Sequence, residues 1–314
     1  MILLWGLPGD TPIAQVYRAL KQLNQQVIFF DQRELLASEL ELRTADQIDG
    51  TLRIGERAIE LNDIDAVYMR LYGNDQLPGL RDLDRSSPAL AHANAMVAAL
   101  TSWTELAPIL VVNRSSAMAS NGSKPHQMRL IHQHGFEVPD TVITNDPAVV
   151  PKFWEKHGVV IYKSISGVRS VVAKLTPRHT ERLALVRWCP TQFQQFIPGN
   201  DYRAHVVGDQ IFTSEITSTA DDYRYARKLG TTAEIRPYVL PADVADRCRS
   251  MAFSLGLEVA GIDLRRHPDG TWYCFEANPS PAFSYYQNAT GQPIDVAIAR
   301  LLISGKSFVK RQGQ

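Results

Sequence analysis

The sequence predicts a mixed α/β and α+β protein, with a small α/β domain followed by two α+β lobes. Three observations predict this class. The chain opens with a strand, a helix and a second apolar strand, which is the pattern of a parallel sheet. Farther along, apolar runs separated by turn residues favour antiparallel hairpins. The length of 314 residues and the hydrophobic content of 45% allow two or three packed units.

The first predicted unit, residues 1–115, is the small α/β domain. Short apolar runs predict strands, and longer stretches between them predict helices. The strands are expected at 2–5, 27–31, 66–70 and 109–113, and the helices at 11–23 and 88–106. The first turn, residues 6–9, lacks the GxGxxG spacing of a dinucleotide site, so no nucleotide is assigned to this unit. The segments 50–65 and 72–85 receive no element.

The second predicted unit is residues 116–190, and the third is residues 191–314. In the second, a helix begins at Lys124 after Ser123 as N-cap and stops at Gly135. Strands follow at 142–144 and 159–163, and the run 171–174 is expected to pair with the latter. The third unit contains a strand at 192–197, hairpins at 202–212 and 259–276, and helices at 241–255 and 294–302.

Composition narrows the range of partners. Lys plus Arg and Asp plus Glu each number 33, so the chain has no global field to attract nucleic acid or a membrane surface. The three cysteines lie far apart and show no CxxC pair or disulfide framework. The apolar opening is broken too early for a signal peptide, and no run has the length of a membrane span. These features predict a cytoplasmic protein without a nucleic-acid or membrane partner.

The hairpin at 259–276 offers a candidate metal site. Glu276 and Asn278 stand two residues apart on one side of a strand, and Asp263 lies on the neighbouring strand. The sequence HPDG at 267–270 favours a tight turn between the strands, which would bring the three oxygen-bearing side chains together. Such ligands suit a hard cation such as Mg²⁺. The alternative is a surface hairpin with ordinary polar residues.

Two further segments could contact a nucleotide. Lys163 ends an apolar strand before a loop of small residues whose N–H groups could hold phosphate oxygens. The strand at 192–197 could read an adenine with its backbone groups, and Asp201 could take a ribose hydroxyl. The alternatives are a solvated lysine and an ordinary strand between lobes.

The remaining charged candidates are less specific. The polar segment 217–227, which includes Arg224, is typical of a mobile loop over a site, although a solvated charge cluster is the alternative. His205 alternates with Arg203 along a strand, so it faces a cleft or packs in the core.

Six short strings occur in order between residues 116 and 302. They are KPHQ at 124–127, VPDT at 138–141, YKSISGVRS at 162–170, DYR at 222–224, GIDL at 261–264 and EANP at 276–279. Together they resemble the ATP-grasp superfamily. The resemblance extends to RimK-type carboxylate–amine ligases, and within them to the graspetide ligases that cyclise peptides.

The resemblance implies an ATP-grasp fold, with an N-terminal pre-ATP-grasp domain and two lobes that enclose the nucleotide. It also implies ATP and Mg²⁺ as cofactors, with Mn²⁺ as a possible substitute for Mg²⁺, and it implies the residues that would contact them. For the nucleotide these are Lys124 and Lys163 on the phosphates, Ser166 and Gly167 in a phosphate lid, Gln195, Phe196 and Ile197 around adenine, and Asp201 near the ribose. Asp263, Glu276 and Asn278 would hold the metal, and Arg203 and Arg224 would stabilise an acyl phosphate and a tetrahedral intermediate.

Two positions depart from the family pattern. Gln195 stands where a glutamate is common, and the lid contains one glycine rather than several. The resemblance favours a ligase that activates a carboxylate and joins it to an amine or hydroxyl of a peptide or amino acid. The alternatives are a non-catalytic ATP-binding sensor or scaffold, and a kinase-like enzyme. The sequence does not determine the oligomeric state, and a homodimer is compatible with it.

Overall fold

The computed structural model describes residues 1–44, 46, 48–165, 172–218 and 232–307. Within them, the strands are β1 Ile2–Gly6, β2 Val27–Asp31, β3 Ser38–Thr44, β4 Ile48–Ile54, β5 Arg57–Glu60, β6 Ala66–Arg70, β7 Leu110–Val112, β8 Thr141–Thr144, β9 Val160–Ser164, β10 Ala173–Lys174, β11 Thr191–Gln195, β12 Asn200–Val207, β13 Gln210–Ser218, β14 Ala233–Tyr238, β15 Val259–Arg266 and β16 Trp272–Asn278. The α-helices are α1 Thr11–Gln22, α2 Pro88–Leu106, α3 Ser115–Met118, α4 Lys124–Gln133, α5 Val149–His157, α6 Ala242–Ser254, α7 Ser284–Thr290 and α8 Ile294–Ser304. Short 3₁₀ helices lie at Gln32–Ala37, Leu61–Asp63, Asn74–Gln76, Ala119–Gly122 and Pro177–Trp188.

The N-terminal sheet is parallel, with the strand order β2-β1-β6-β7. Helix α1 connects β1 to β2, as the opening strand–helix–strand pattern predicts. Successive side chains of a strand point to opposite faces of its sheet. Leu3 and Trp5 of β1 accordingly enter one core, and Ile2 and Leu4 enter another on the opposite face. The α/β class predicted for this unit is confirmed.

Helix α8 packs on this N-terminal sheet, although it lies near the other end of the chain. Its residues Ile298 and Leu302 share a core with Leu4 of β1 and with Val16 and Leu20 of α1. Both α8 residues are almost completely buried. The N-terminal sheet therefore completes one of its covering layers with a helix from the third predicted unit.

Most of the segment 50–65, which the sequence left without an element, belongs to a small antiparallel sheet with the order β3-β4-β5, and its last residues contain the short 3₁₀ helix Leu61–Asp63. The two longer strands approach closely at Gly50, which has a φ of 149°. A Cβ there would lie 1.9 Å from the carbonyl oxygen of Glu41, so only glycine fits. The segment 72–85 lies nearby and buries Leu77 and Leu80 in the same core as Trp5.

The middle sheet has the order β10-β9-β11-β8, with antiparallel pairs throughout. Strand β10 pairs with β9, as predicted for 171–174, of which residue 171 lies outside the described residues. Strand β11 hydrogen-bonds to both β8 and β9, so this segment, expected at the start of the third unit, completes the sheet of the second. The boundaries 1–115, 116–190 and 191–314 stay a prediction.

The large sheet is antiparallel, with the order β14-β13-β12-β15-β16. Both predicted hairpins are present. The first turns at Gly208, with a φ of 57°, and the second at Gly270, with a φ of 94°. One face of the sheet packs against α4 and α6, where Ile131, Met251 and Ile262 share a core. The opposite face carries the polar residues described below.

The helix boundaries agree closely with the sequence signals. Helix α2 has the predicted bounds, and α4 begins at Lys124 with Pro125 in its first turn. Ser123 holds the N-cap position of α4, but its side chain makes no capping hydrogen bond. Gly135 has a φ of 78°, which suits its place just after this helix. Within the described ranges, no helix is long and apolar enough to cross a membrane.

Candidate active site

A row of polar side chains crosses four strands of the large sheet. The register pairs Ser214 of β13 with Arg203 of β12, Arg203 with Asp263 of β15, and Asp263 with Glu276 of β16. Directly paired residues of neighbouring strands point to the same face. Arg203 is almost completely buried, and its Nη1 donates to Oδ1 of Asp263 at 2.5 Å. The row thus places one arginine beside two carboxylates.

The next row along the same face contains His205, Gly261 and Asn278. Asn278 therefore lies on the same side of β16 as Glu276, two residues away. The structure brings Asp263, Glu276 and Asn278 together on one face at the edge of the sheet, as the hairpin pattern predicts. Their role as metal ligands stays a prediction.

The donor set fits a hard cation. Asp263 and Glu276 are like charges in directly opposed positions, an unfavourable arrangement that a bound cation would relieve. In the part of the chain that the structure describes, no group of three or more His, Cys, Asp or Glu side chains is placed to share an ion. The site would thus combine two carboxylates with the carboxamide oxygen of Asn278. All three are oxygen donors, which Mg²⁺ prefers.

Gly261 allows Arg203 to reach this site. A Cβ at Gly261 would lie 2.2 Å from Nη2 of Arg203 and 2.7 Å from Cβ of Pro281. The guanidinium group therefore lies directly over the backbone of Gly261 on its way to Asp263. Arg203 is further covered by Tyr286, whose ring centroid is 5.7 Å from the arginine Cζ.

His205 is completely buried two residues from Arg203 on the same face. Its ring centroid is 5.0 Å from that of Tyr286. Burial, assisted by the charge of Arg203, holds the pKa of His205 well below its usual range, so the ring is neutral. Neither ring nitrogen has a hydrogen-bond partner within the described residues. The sequence allowed His205 to face a cleft or to pack in the core, and its complete burial places it in the core.

The two predicted phosphate lysines lie on separate elements. One of them, Lys163 of β9, pairs with Gln192 of β11. Lys174 of β10, which the sequence did not single out, pairs with Ile161, so Lys163 and Lys174 project from the same face of the middle sheet. The opposite face is the one whose Phe193 packs in the core with helix α5. The first residue of α4, Lys124, is half-buried.

The backbone after β11 is partly engaged within the protein. The amide of Gln195 donates to the carbonyl of Asp140 at 2.9 Å, and that of Phe196 donates to Val159 at 3.0 Å. The carbonyl of Ile197 accepts from Arg265 Nη1 at 2.7 Å. These three groups therefore have partners other than an adenine. The backbone N–H of Ile197 has no hydrogen-bond partner among the described residues, so no group of the protein competes with an adenine for it.

Asp201 forms an ion pair with an arginine that the sequence analysis did not single out. Nε and Nη2 of Arg265 donate to its two carboxylate oxygens at 2.7 and 2.9 Å. The Cζ of Arg265 also lies 5.6 Å from the ring centroid of Phe196, and Nζ of Lys174 lies 4.7 Å from it. Arg265 thus joins the start of β12 to the segment expected to surround adenine.

The remaining predicted residues, Ser166, Gly167 and Arg224, lie outside the described residues. The sequence analysis also missed Gln192, which is completely buried. Neither amide atom of its side chain is hydrogen-bonded within the described residues. Its alternation with Gln194 around Phe193 was the available signal, because period-two polar positions mark one face of a sheet.

A family model described as the RimK-like ATP-grasp domain matches residues 121–302, which is more than half of the chain. The chain belongs to the RimK-like ATP-grasp family. The matched range contains β8–β16 together with Lys124, so the middle and large sheets with their polar faces form the RimK-like part. The N-terminal parallel sheet lies before it.

Solved structures of ATP-grasp ligases share the fold of nearly the whole chain. One is a RiPP-associated ATP-grasp ligase of Chryseobacterium gregarium in complex with ADP and a leader and core peptide. It has a TM-score of 0.82 and 24% identity, and the match covers 97% of each chain. Another is the ATP-grasp ligase PsnB complexed with minimal precursor, with a TM-score of 0.79 and 26% identity over 97% of this chain and 99% of that one. The match therefore includes the N-terminal sheet.

Among curated RimK-like relatives, a probable alpha-L-glutamate ligase of Shewanella halifaxensis (strain HAW-EB4) is 25% identical over 242 residues. The match covers 71% of this chain and 50% of the relative. The chain thus spans about half the length of this curated relative. These matches establish the fold and the family, and they do not identify the substrates.

Proposed function

We propose that the protein is an ATP- and Mg²⁺-dependent ligase that joins a carboxylate to an amine or hydroxyl. The observation that carries this proposal is the row in which Arg203, Asp263 and Glu276 stand side by side, with Asn278 next to it. Phosphoryl transfer needs positioning and neutralisation of charge more than covalent participation by the protein. An arginine beside a set of oxygen ligands supplies both.

In the proposed reaction, a substrate carboxylate oxygen attacks the γ-phosphorus of ATP, and ADP leaves. The amine or hydroxyl then attacks the acyl carbon of the resulting acyl phosphate, loses its proton, and inorganic phosphate leaves. Mg²⁺, when bound, neutralises phosphate oxygens and holds them in place. Asp263, Glu276 and Asn278 would hold that ion, and Arg203 would stabilise the negative charge that develops during both steps.

Other residues would position the nucleotide. Lys163 and Lys124 would contact the phosphates, with Ser166 and Gly167 in the lid above them. Phe196 and Ile197 would contact the adenine, with Gln195 beside them. Because Arg265 engages both oxygens of Asp201, a ribose contact by Asp201 would have to share that carboxylate with Arg265. Arg224 would assist Arg203 at the acyl phosphate.

For the acceptor we propose a peptide. The N-terminal sheet and the RimK-like part together match ligases whose structures contain a precursor or a leader and core peptide. Joining a side-chain carboxylate to a hydroxyl or amine of the same peptide removes one water per bond. Addition of a free amino acid, the activity suggested by the name of the glutamate-ligase relative, raises the mass instead. A cytoplasmic location and a homodimer stay predictions.

The test is ADP release from ATP and Mg²⁺ across amino acids, small amines and acidic peptides, followed by intact mass of the products. We expect one class to stimulate ADP release and Glu276→Gln to reduce the rate about a hundredfold or more, because a charged ligand is lost. Glu234→Gln is the matched control, since Glu234 is an exposed carboxylate of the same sheet paired with Arg236.

The results separate the alternatives. Full activity in Glu276→Gln would remove this residue from the mechanism. ATP binding without ADP release under any acceptor would contradict the ligase and favour a sensor or scaffold. A stable phosphorylated product formed without an acceptor would indicate a kinase-like reaction.

A further inference from the structure

Strand β16, which carries Glu276 and Asn278, is an edge strand of the large sheet. The outward N–H and C=O groups of an edge strand have no neighbouring strand to pair with. Here several of them bond to other parts of the chain. Close to the turn of the hairpin, Glu137 bonds with its backbone to Trp272 and Cys274 at 3.1 and 2.9 Å.

At the ligand end of β16, a side chain takes over this role. The amide nitrogen of Gln127, on α4, donates to the carbonyl of Ala277 at 2.9 Å. Its amide oxygen accepts from the N–H of the same residue at 3.2 Å. Gln127 is 4% exposed, so water does not compete for these bonds. It therefore fixes the peptide groups on both sides of the single residue that separates Glu276 from Asn278.

The chain just after Asn278 is held in the same way by Asn113, which follows β7. Its Nδ2 donates to the carbonyl of Pro279 at 2.5 Å and to that of Val259 at 2.7 Å. Its Oδ1 accepts from the amides of Glu258 and Val259 at 2.8 and 3.1 Å. Asn113 thus ties the beginning of β15 to the residue that follows Asn278.

Arg70, at the end of β6, holds the next two residues. Its Nη1 donates to Oγ of Ser280 at 3.0 Å and to the carbonyl of Pro281 at 3.1 Å. Its Nε donates to Asp10 at 2.5 Å, and both side chains of this ion pair are about nine-tenths buried. The arginine is therefore anchored in the N-terminal sheet while it holds the segment after β16.

We propose that Gln127, Asn113 and Arg70 are positioning residues that hold Glu276 and Asn278 in place for metal binding. They come from α4, from the residue after β7 and from the end of β6, all outside the large sheet. They bond to backbone groups of residues 277, 279 and 281 and to the hydroxyl of Ser280. An edge strand lacks one neighbour to define its position, so these bonds replace the missing strand at the point where two ligands project. The inference rests on the proposed function.

The test measures binding of Mn²⁺, in the presence of ADP, from the electron paramagnetic resonance signal of the free ion. Removal of a group that orients metal ligands typically weakens metal affinity 10–100-fold. We expect Gln127→Met to weaken Mn²⁺ binding about tenfold, because it removes both bonds to Ala277. Gln15→Met is the matched control, because Gln15 is also a buried helical glutamine but bonds to Asn288.

Circular dichroism and thermal unfolding establish that each variant is folded. If Gln127→Met does not fold, Asn113→Asp replaces it, since this variant keeps the acceptor for residues 258 and 259 and loses the donor to Pro279 and Val259. A selective loss of affinity in the Gln127 or Asn113 variants supports the inference. Unchanged affinity, or an equal loss in Gln15→Met, overturns it.

The proposed function fails in a different way. If the wild-type protein binds no Mn²⁺ with ADP and Glu276→Gln behaves identically, the metal site itself is wrong, and the positioning role falls with it. If the wild type binds Mn²⁺ and Glu276→Gln does not, the site is right, and the Gln127 result decides the inference alone.

Discussion

At the scale of single residues, the site depends on close approaches as well as on charged groups. Arg203 reaches Asp263 only because Gly261 leaves the space above its backbone empty. Gly261 does not have the positive φ that would by itself require glycine. Its requirement is steric, and it comes from a side chain on the neighbouring strand.

Gly261→Ala should therefore impair catalysis more than folding. The new Cβ would collide with the guanidinium group of Arg203 and with Cβ of Pro281, and a displacement of the guanidinium group by about 1 Å can cost about a hundredfold in rate. We expect ADP release to fall by about this factor while circular dichroism stays unchanged. Gly9→Ala is the control, because nothing lies within 4 Å of a Cβ there. Wild-type activity in Gly261→Ala would show that Arg203 can act from another position.

Sequence reasoning reached part of this residue-scale description. The hairpin pattern predicted that Asp263, Glu276 and Asn278 converge, but the register set by the turn, with Leu264 opposite Cys274, would place Phe275 rather than Glu276 opposite Asp263. A register shift between Asp263 and Leu264, of the kind a β-bulge produces, brings Glu276 to the face of Asp263. The ion pair between Asp201 and Arg265 was missed because it depends on the pairing of β12 with β15, whose residues are distant in sequence. The same pairing sets the contact between Arg203 and Asp263.

At the scale of elements, the helices and hairpins follow local signals, whereas the packing partners do not. The start of helix α2 could be predicted because Pro88 marks it. The turns at Gly208 and Gly270 could be predicted because glycine favours the positive φ of such turns. The sheet formed by β3–β5 could not, because Gly50 interrupts the apolar pattern of β4 and β5 has only four residues. The position of α8 on the N-terminal sheet has no local signal.

Packing of α8 should contribute measurably to stability. Ile298 is fully buried in the core shared with α1 and β1, and Ile303 of the same helix is 40% exposed. We expect Ile298→Ala to lower the free energy of unfolding by about 2–5 kcal/mol. Ile303→Ala should change it by about 0.5 kcal/mol or less. Urea unfolding measures both, and equal effects would show that α8 does not pack as described.

At the scale of the whole molecule, one aromatic ring contacts cations of both the middle and the large sheet. Phe196 follows the last strand of the middle sheet, and its ring lies near Lys174 of that sheet and near Arg265 of the large one. Both cations are close enough for a favourable interaction with the ring. The segment expected to surround adenine is therefore held by both lobes.

The distribution of thiols offers a test of the packing of the whole chain. Cys189 is exposed, whereas Cys248 and Cys274 are completely buried. Burial raises the pKa of Cys248 to about 12 and that of Cys274 well above its usual value, so neither forms the reactive thiolate. In native buffer at pH 8, we expect a disulfide reagent to titrate one of the three thiols rapidly, and all three in denaturant. Rapid reaction of a second thiol in native buffer would contradict the described core around α6.

The packing of α8 against β1 also affects how the chain folds during synthesis. A domain often folds as soon as its residues leave the ribosome. The parallel sheet is complete by residue 112, yet Leu4 and Leu20 lack part of their apolar surroundings until the residues of α8, 294–304, have been synthesised. The N-terminal unit therefore exposes an apolar face for most of translation, and a chaperone that binds nascent apolar surfaces would find it there.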